Sequence, residues 1–259
     1  MRPTTFLRIA LGFIIGGVSM TAQAINFPTI IGEAIAQSVE PYYTTGRIVY
    51  LSGTLGYQGS ATVIGSRSSL TCAHVLFSTT NGLSTNMTFR IAQSNHSSRS
   101  VHSASKLFIF SGYEAKSAAK GEASNAAFQH DLGGLRFRGT PNVPKYASWS
   151  ANPGLLNGNY FMMSLGYGGA LHAPFTAGRV MLKSSPQSKG SFQPIRSAYW
   201  ENYTYNIEPG MSGGPTYVYV GGQWLILGIN VSGYTNYSGS GYRVIDAQAG
   251  NFISQHLSL

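Results

Sequence analysis

The feature that most constrains this chain is the spacing of its apolar residues. They come in short runs rich in β-branched and aromatic side chains, each bounded by Gly, Ser, Asn or Pro. Examples are Arg47-Ile48-Val49-Tyr50-Leu51, Ala61-Thr62-Val63-Ile64, Lys106-Leu107-Phe108-Ile109-Phe110, Tyr160-Phe161-Met162-Met163, Thr216-Tyr217-Val218-Tyr219-Val220, Trp224-Leu225-Ile226-Leu227-Gly228-Ile229 and Tyr242-Arg243-Val244-Ile245. Helical periodicity is nearly absent. Many short strands separated by turns predict an all-β chain, a sandwich or barrels. The 32 glycines and 16 tyrosines suit tight turns and strands. Charged residues make up only 10%, against about 25% in an average soluble protein, which excludes coiled coils and long charged helices. A 43% hydrophobic content excludes wholesale disorder. The 259 residues suffice for two barrel-sized halves. One helix is expected, at the end, where Phe252, Ile253 and Leu257 follow Asp246-Ala247-Gln248-Ala249. Residues 114–127 read as a surface loop. Residues 141–153, with three prolines and no strand pattern, read as a linker. The expected division is 46–140 for a first barrel and 154–259 for a second with its helix.

Residues 1–24 read as a secretory signal peptide. Arg2 and Arg8 give the positive start, Ile9 to Val18 the apolar stretch, and Ala22-Gln23-Ala24 the cleavage site. That stretch is shorter than the about 20 residues a bilayer span needs. The expectation is an exported chain, periplasmic or extracellular, with no membrane attachment once the signal is removed. Residues 25–45 would be an N-terminal arm or a propeptide. The single cysteine, Cys72, excludes an internal disulfide. The formal charge of +9 reflects 8 acids against 17 Lys and Arg. It stems from scarce acid, and the bases form no run, so no nucleic-acid groove is expected. The expected state is a monomer.

Acyl transfer by serine needs an attacking hydroxyl, a histidine to take its proton, a buried carboxylate to orient that histidine, and amides facing the oxyanion. Only two aspartates are available, Asp131 and Asp246, with histidines at 74, 96, 102, 130, 172 and 256. Pro209-Gly210-Met211-Ser212-Gly213-Gly214-Pro215 offers Ser212 as nucleophile, with the amides of Gly210 and Ser212 as the oxyanion hole. Leu70-Thr71-Cys72-Ala73-His74-Val75 offers a base, and Gln129-His130-Asp131-Leu132-Gly133 a carboxylate. His96 and His102 lie six apart in a Ser-rich loop, a spacing that supports no metal site. No cofactor is expected.

These segments resemble the trypsin/chymotrypsin-like serine endopeptidases. Gly59-Ser60-Ala61-Thr62-Val63-Ile64 with Thr71-Cys72-Ala73-His74 is similar to that family's strand and catalytic histidine. Asp131-Leu132 is similar to its aspartate, and Gly210-Met211-Ser212-Gly213-Gly214-Pro215 to its nucleophile loop. The resemblance spans about residues 45–257 and is nearest the cysteine-poor bacterial branch that includes glutamyl endopeptidases. It implies two antiparallel six-stranded barrels with the site between them, His74 as base, Asp131 as its orienter, Ser212 as acylated nucleophile, and a protein or peptide substrate. Three departures stand out. Met211 replaces the acid that pairs with a new N-terminus in members activated by cleavage, so Arg47-Ile48-Val49 reads as a barrel strand. Val75 stands where many relatives carry cysteine. Val231 stands where many have a serine beside the aspartate.

The resemblance also places the substrate pocket at Asn206, Ile207, Asn230, Gly233, Gly241 and Arg243. Asn206 at the base disfavours a basic side chain, and Asn230 disfavours simple glutamate specificity. Arg243 either points into the pocket and favours an acidic or polar residue, or pairs with Glu208 or Asp246. Cys72 reads as a small buried hydrophobe. Two rivals use the same residues. One is an α/β-hydrolase using Ser212, Asp246 and His256 through a G-x-S-x-G elbow, disfavoured because a strand rather than a helix follows Pro215. The other is a protease-like binding protein or adhesin without turnover.

Overall fold

A computed structural model describes residues 28–169, 178–184, 192–203, 206–233 and 239–257. The expected signal peptide lies outside the described residues.

Alternation of buried and half-exposed residues along Thr45–Ser52 (β2) marks a strand with one face in a core. It joins Leu55–Gly65 (β3), Ser68–Thr71 (β4), Thr85–Ile91 (β7), Ser100–Ile109 (β8) and Gly133–Phe137 (β9) in a closed barrel of order β2-β3-β4-β9-β8-β7. Between β4 and β7 lies a small pair, Phe77–Ser78 (β5) with Gly82–Leu83 (β6).

The second half is a larger sheet. Its strands are Thr29–Ile30 (β1), Phe161–Gly166 (β11), Leu182–Ser184 (β12), Phe192–Pro194 (β13), Tyr199–Asn202 (β14), Pro215–Val220 (β15), Gln223–Gly233 (β16) and Ser240–Val244 (β17). They run in the order β1-β12-β11-β15-β16-β17-β14-β13, and Ser148–Trp149 (β10) adds to β16 in parallel. Among the described residues this sheet is not closed. The described residues are mostly β, with one closed six-stranded barrel, one larger sheet and the small β5–β6 pair.

Among the described residues four α-helices accompany the strands: Glu33–Ser38 (α1), Tyr113–Lys120 (α2), Asn125–Phe128 (α3) and Ala247–His256 (α4). The C-terminal helix falls where the apolar spacing puts it. The loop expected over 114–127 is instead α2 and α3. Alanine, glutamate and lysine in Glu114-Ala115-Lys116-Ser117-Ala118-Ala119-Lys120 are strong helix formers. Gly112 (φ 90°) and Gly121 (φ 87°) bracket the segment, and Ser124 caps α3 through the amide of Ala127. The small side chains read as loop only because little apolar surface marks a buried face. Residues 141–153 are mostly irregular but contain β10.

The main core runs through both halves. Ile48, Val63, Leu70 and Phe89 of the barrel share one buried cluster with Met163, Leu165, Tyr217 and Ile226 of the sheet.

Candidate active site

The register of β4 against β9 brings two of the expected residues together. Thr71 pairs with Gly133, so the chain leaving β4 and the chain entering β9 meet at one barrel end. Three residues beyond Thr71, a single 3₁₀ turn, Ala73–Val75, presents His74. Two residues before Gly133, Asp131 leaves α3 with its amide on the Phe128 carbonyl. Asp131 is fully buried. Its Oδ2 lies 2.6 Å from His74 Nδ1, and its Oδ1 accepts the His74 backbone N–H at 2.9 Å. Both carboxylate oxygens thus serve His74. Burial alone would lower the imidazole's pKa. The Asp131 carboxylate outweighs it and holds His74 well above the ordinary histidine range.

The other ring nitrogen faces a sulfur. Cys72 Sγ lies 3.6 Å from His74 Nε2. Cys72 is fully buried, and burial pushes its thiol up, which favours the neutral S–H. Cys72, His74 and Asp131 bring ligand atoms within 4.8 Å of one another. Asp131 is already committed to Nδ1, so only Sγ and Nε2 could take a metal ion, with Asp131 in the supporting role such carboxylates play.

Ser212 sits on a turn between the two halves. Gly210 (φ 97°) and Gly213 (φ 84°) take left-handed backbone that a side chain would strain. Gly213 and Gly214 have no room for a Cβ, which would run into Thr71 and the Leu165 carbonyl respectively. The turn's amides divide into two sets. Met211 N–H donates to Glu208 O, Gly213 N–H to Asn230 O and Gly214 N–H to Met211 O. Among the described residues, no hydrogen bond engages the Gly210 or Ser212 amide, which are the two expected oxyanion donors.

Ser60 of β3, to which sequence reasoning gave no role, rivets this turn to the barrel. Its amide donates to Ser212 O at 2.7 Å, its hydroxyl donates to Gly210 O at 2.9 Å, and Tyr167 N–H donates to that hydroxyl at 2.9 Å. The next residue, Gly213, backs onto the amide of Cys72. The three segments therefore converge. Among the described residues, however, His74 Nε2 is bonded to Cys72 and not to Ser212 Oγ.

The six residues expected around a substrate pocket gather where β16 and β17 meet residues 206–207. Gly233 backs onto the Ile207 carbonyl, and Gly241 onto Tyr199 and Ser232. Asn206 Oδ1 accepts from Ser240 Oγ at 3.3 Å. Asn230 is consumed internally, its amide donating to Leu165 O and Met211 O while its oxygen accepts from Thr216. Of the two orientations open to Arg243, the structure has the pairing one. Its guanidinium donates to Asp246 at 3.3 Å and lies 5.1 Å over the Phe110 ring. His256, a member of the rival α/β-hydrolase set, stacks on Phe108 at 5.4 Å.

His74 forms a wall of two cavities the sequence did not reveal. One of about 380 Å³ includes Tyr50, Tyr57, Asn81 and Glu122, and one of about 220 Å³ includes Glu122, Phe128 and Val231. Glu122 comes from the segment read as loop, 48 positions beyond His74, so no local pattern pointed to it.

No family model matches the sequence, and no characterised protein matches it. The fold does have solved counterparts. A thermostable serine protease, AL20, from an extremophilic microorganism superposes with a TM-score of 0.64 at 18% identity, over 83% of this chain and 98% of that one. A Glu endopeptidase solved with MPD gives 0.66 at 20%, over 88% and 95%. The protease Anisep from Arthrobacter nicotinovorans gives 0.63 at 20%, over 82% and 94%. The fold is thus the one these trypsin-like serine proteases share.

Proposed function

We propose that this chain is an exported serine endopeptidase that hydrolyses peptide bonds through an acyl-enzyme on Ser212. The observation that carries the reading is the buried Asp131–His74 pair at 2.6 Å beside a turn whose Gly210 and Ser212 amides are unengaged among the described residues. In the reaction His74 Nε2 exchanges the Cys72 sulfur for Ser212 Oγ. It takes the hydroxyl proton as the oxygen attacks the scissile carbonyl. The Gly210 and Ser212 amides hold the oxyanion, and Asp131 stabilises the imidazolium. The proton passes to the leaving amine. Water, activated by the same imidazole, then releases the acyl group.

The finer expectations belong to this proposal. Residues 1–24 direct export and are removed. The second sheet serves as the other six-stranded barrel. The substrate is a protein or peptide, held by the walls at Ile207, Gly233 and Gly241. The enzyme works as a monomer without a cofactor, near the glutamyl-endopeptidase branch.

A second reading, a protease-like binding protein without turnover, draws on one observation: the sulfur, not the serine, holds Nε2. Kinetics separate the two. The mature chain should cleave members of a mixed peptide library, and Ser212→Ala, His74→Ala and the double variant should each lose activity to the same residual level, because the groups act as a unit. A library left intact by folded wild-type protein favours the binding reading.

A further inference from the structure

Where the outer face of the barrel meets the second half, three arginines cluster, and among the described residues no acid lines the cavity they border. Arg47 on β2 and Arg90 on β7 stand directly opposite each other in the antiparallel register. Arg179, from the second half, joins them. With Gln93, Asn95 and His96 they border a cavity of about 510 Å³. All three arginines are half-buried. Like charges facing each other across a strand pair are destabilising. Burial, with Arg179 and Arg90 nearby, presses the Arg47 guanidinium below its ordinary value.

Among the described residues no acidic side chain pairs with this cluster. It contains eight Asp and Glu. All eight fall among the described residues, and none borders the cavity. Asp131 serves His74, Asp246 serves Arg243, Glu40 meets Lys145 and Glu122 holds Thr79. The partners the arginines do have are neutral or basic: Arg47 Nε donates to Gln58 Oε1 at 2.8 Å, and Arg179 lies 3.5 Å from His96 Nδ1. The loop shaping the cavity holds Ala92 at φ 48° and Asn95 at φ 52°. For alanine in particular this is uncommon backbone, kept only where the surroundings enforce it.

We propose that this cavity is a binding site for a phosphate group, free or carried as a monoester. Guanidinium forks match phosphate oxygens two at a time. A dianion there supplies the charge that the acid-poor chain lacks. Its lining includes none of His74, Asp131, Gly210 or Ser212, and its test reads binding rather than activity.

The test is thermal unfolding and titration calorimetry of the purified chain with inorganic phosphate, phenyl phosphate and, at matched ionic strength, chloride. Phosphate should raise the Tm in the millimolar range where chloride does not. Arg90→Gln should erase that shift, yet unfold no earlier than wild type without phosphate, because it relieves repulsion. Arg179→Gln, off the barrel ladder, should weaken phosphate at least tenfold by calorimetry even if Arg90→Gln fails to fold. Binding of both phosphates assigns a cavity open to a carrier, and binding of inorganic phosphate alone assigns the free anion. A phosphate effect no larger than that of chloride, or one that survives Arg179→Gln, overturns the proposal.

Discussion

At the residue scale the proposed chemistry rests on one imidazole. Asp131 uses both oxygens on His74, one on the ring and one on the main chain. That fixes the ring and raises its pKa above the ordinary 6.5. A general base works only when neutral. Hydrolysis should therefore fall as pH drops through a value above 6.5, visible as the acid limb of a kcat/KM profile. Asp131→Asn removes the charge that raises the pKa, so that limb should move to lower pH. The same change should cost on the order of 10⁴ in kcat through the wrong tautomer. An unchanged acid limb would assign the titration to another group. Cys72 gives a second expectation. Its buried thiol stays protonated at neutral pH, so thiol reagents should leave the native protein unlabelled and label it after unfolding. Cys72→Ala should keep turnover within a few-fold and cost about 1 kcal/mol of stability, read by urea titration.

At the element scale the C-terminal helix shows how one position can hold two loads. Asp246 caps α4 by accepting the Ala249 amide at 2.8 Å and also neutralises Arg243, which is 1% exposed. Losing the cap costs about 1 kcal/mol. Stranding a buried guanidinium costs more, on the order of 3–5 kcal/mol. Asp246→Ala should thus destabilise well beyond a cap loss in denaturant titration, and Arg243→Met in the same chain should restore much of it. A cost near 1 kcal/mol would mean that Arg243 finds other partners.

This helix was legible because Phe252, Ile253 and Leu257 mark a buried face. The strand runs were legible for the same reason: Arg47-Ile48-Val49 is indeed barrel strand β2. The helices α2 and α3 were not legible, since small polar side chains leave no periodic apolar signal. His74, Asp131 and Ser212 stood out through their motifs. Ser60, Glu122 and the arginine cavity did not, because they are created by register and tertiary approach: Arg47 meets Arg90 only once β2 lies beside β7.

At the whole-molecule scale the two halves are strapped crosswise. The N-terminal β1 pairs with β12 of the second sheet. The C-terminal α4, which follows that sheet, returns to the barrel. There Phe252 meets Phe110 edge-on at 5.5 Å, Arg136 donates to the His256 carbonyl at 3.2 Å, and Leu257 fills the space beside Gly134. With one apolar cluster running through both halves, unfolding should be a single cooperative transition by circular dichroism and tyrosine fluorescence alike. Removing residues 247–259 should abolish that transition and activity together. Two separable transitions in the intact chain would show that the halves are stable independently.

The cross-strapping matters because His74 and Asp131, the proposed base and its carboxylate, stand on one half while Ser212, the proposed nucleophile, stands on the turn that joins the other. The most direct measurement is the intact mass of the mature protein after treatment with a fluorophosphonate, followed by peptide mapping. One adduct per chain, located on Ser212 and absent from Ser212→Ala and from His74→Ala, is the expected result. No adduct on folded protein, or an adduct that persists in Ser212→Ala, would contradict the assignment of Ser212 as an activated nucleophile.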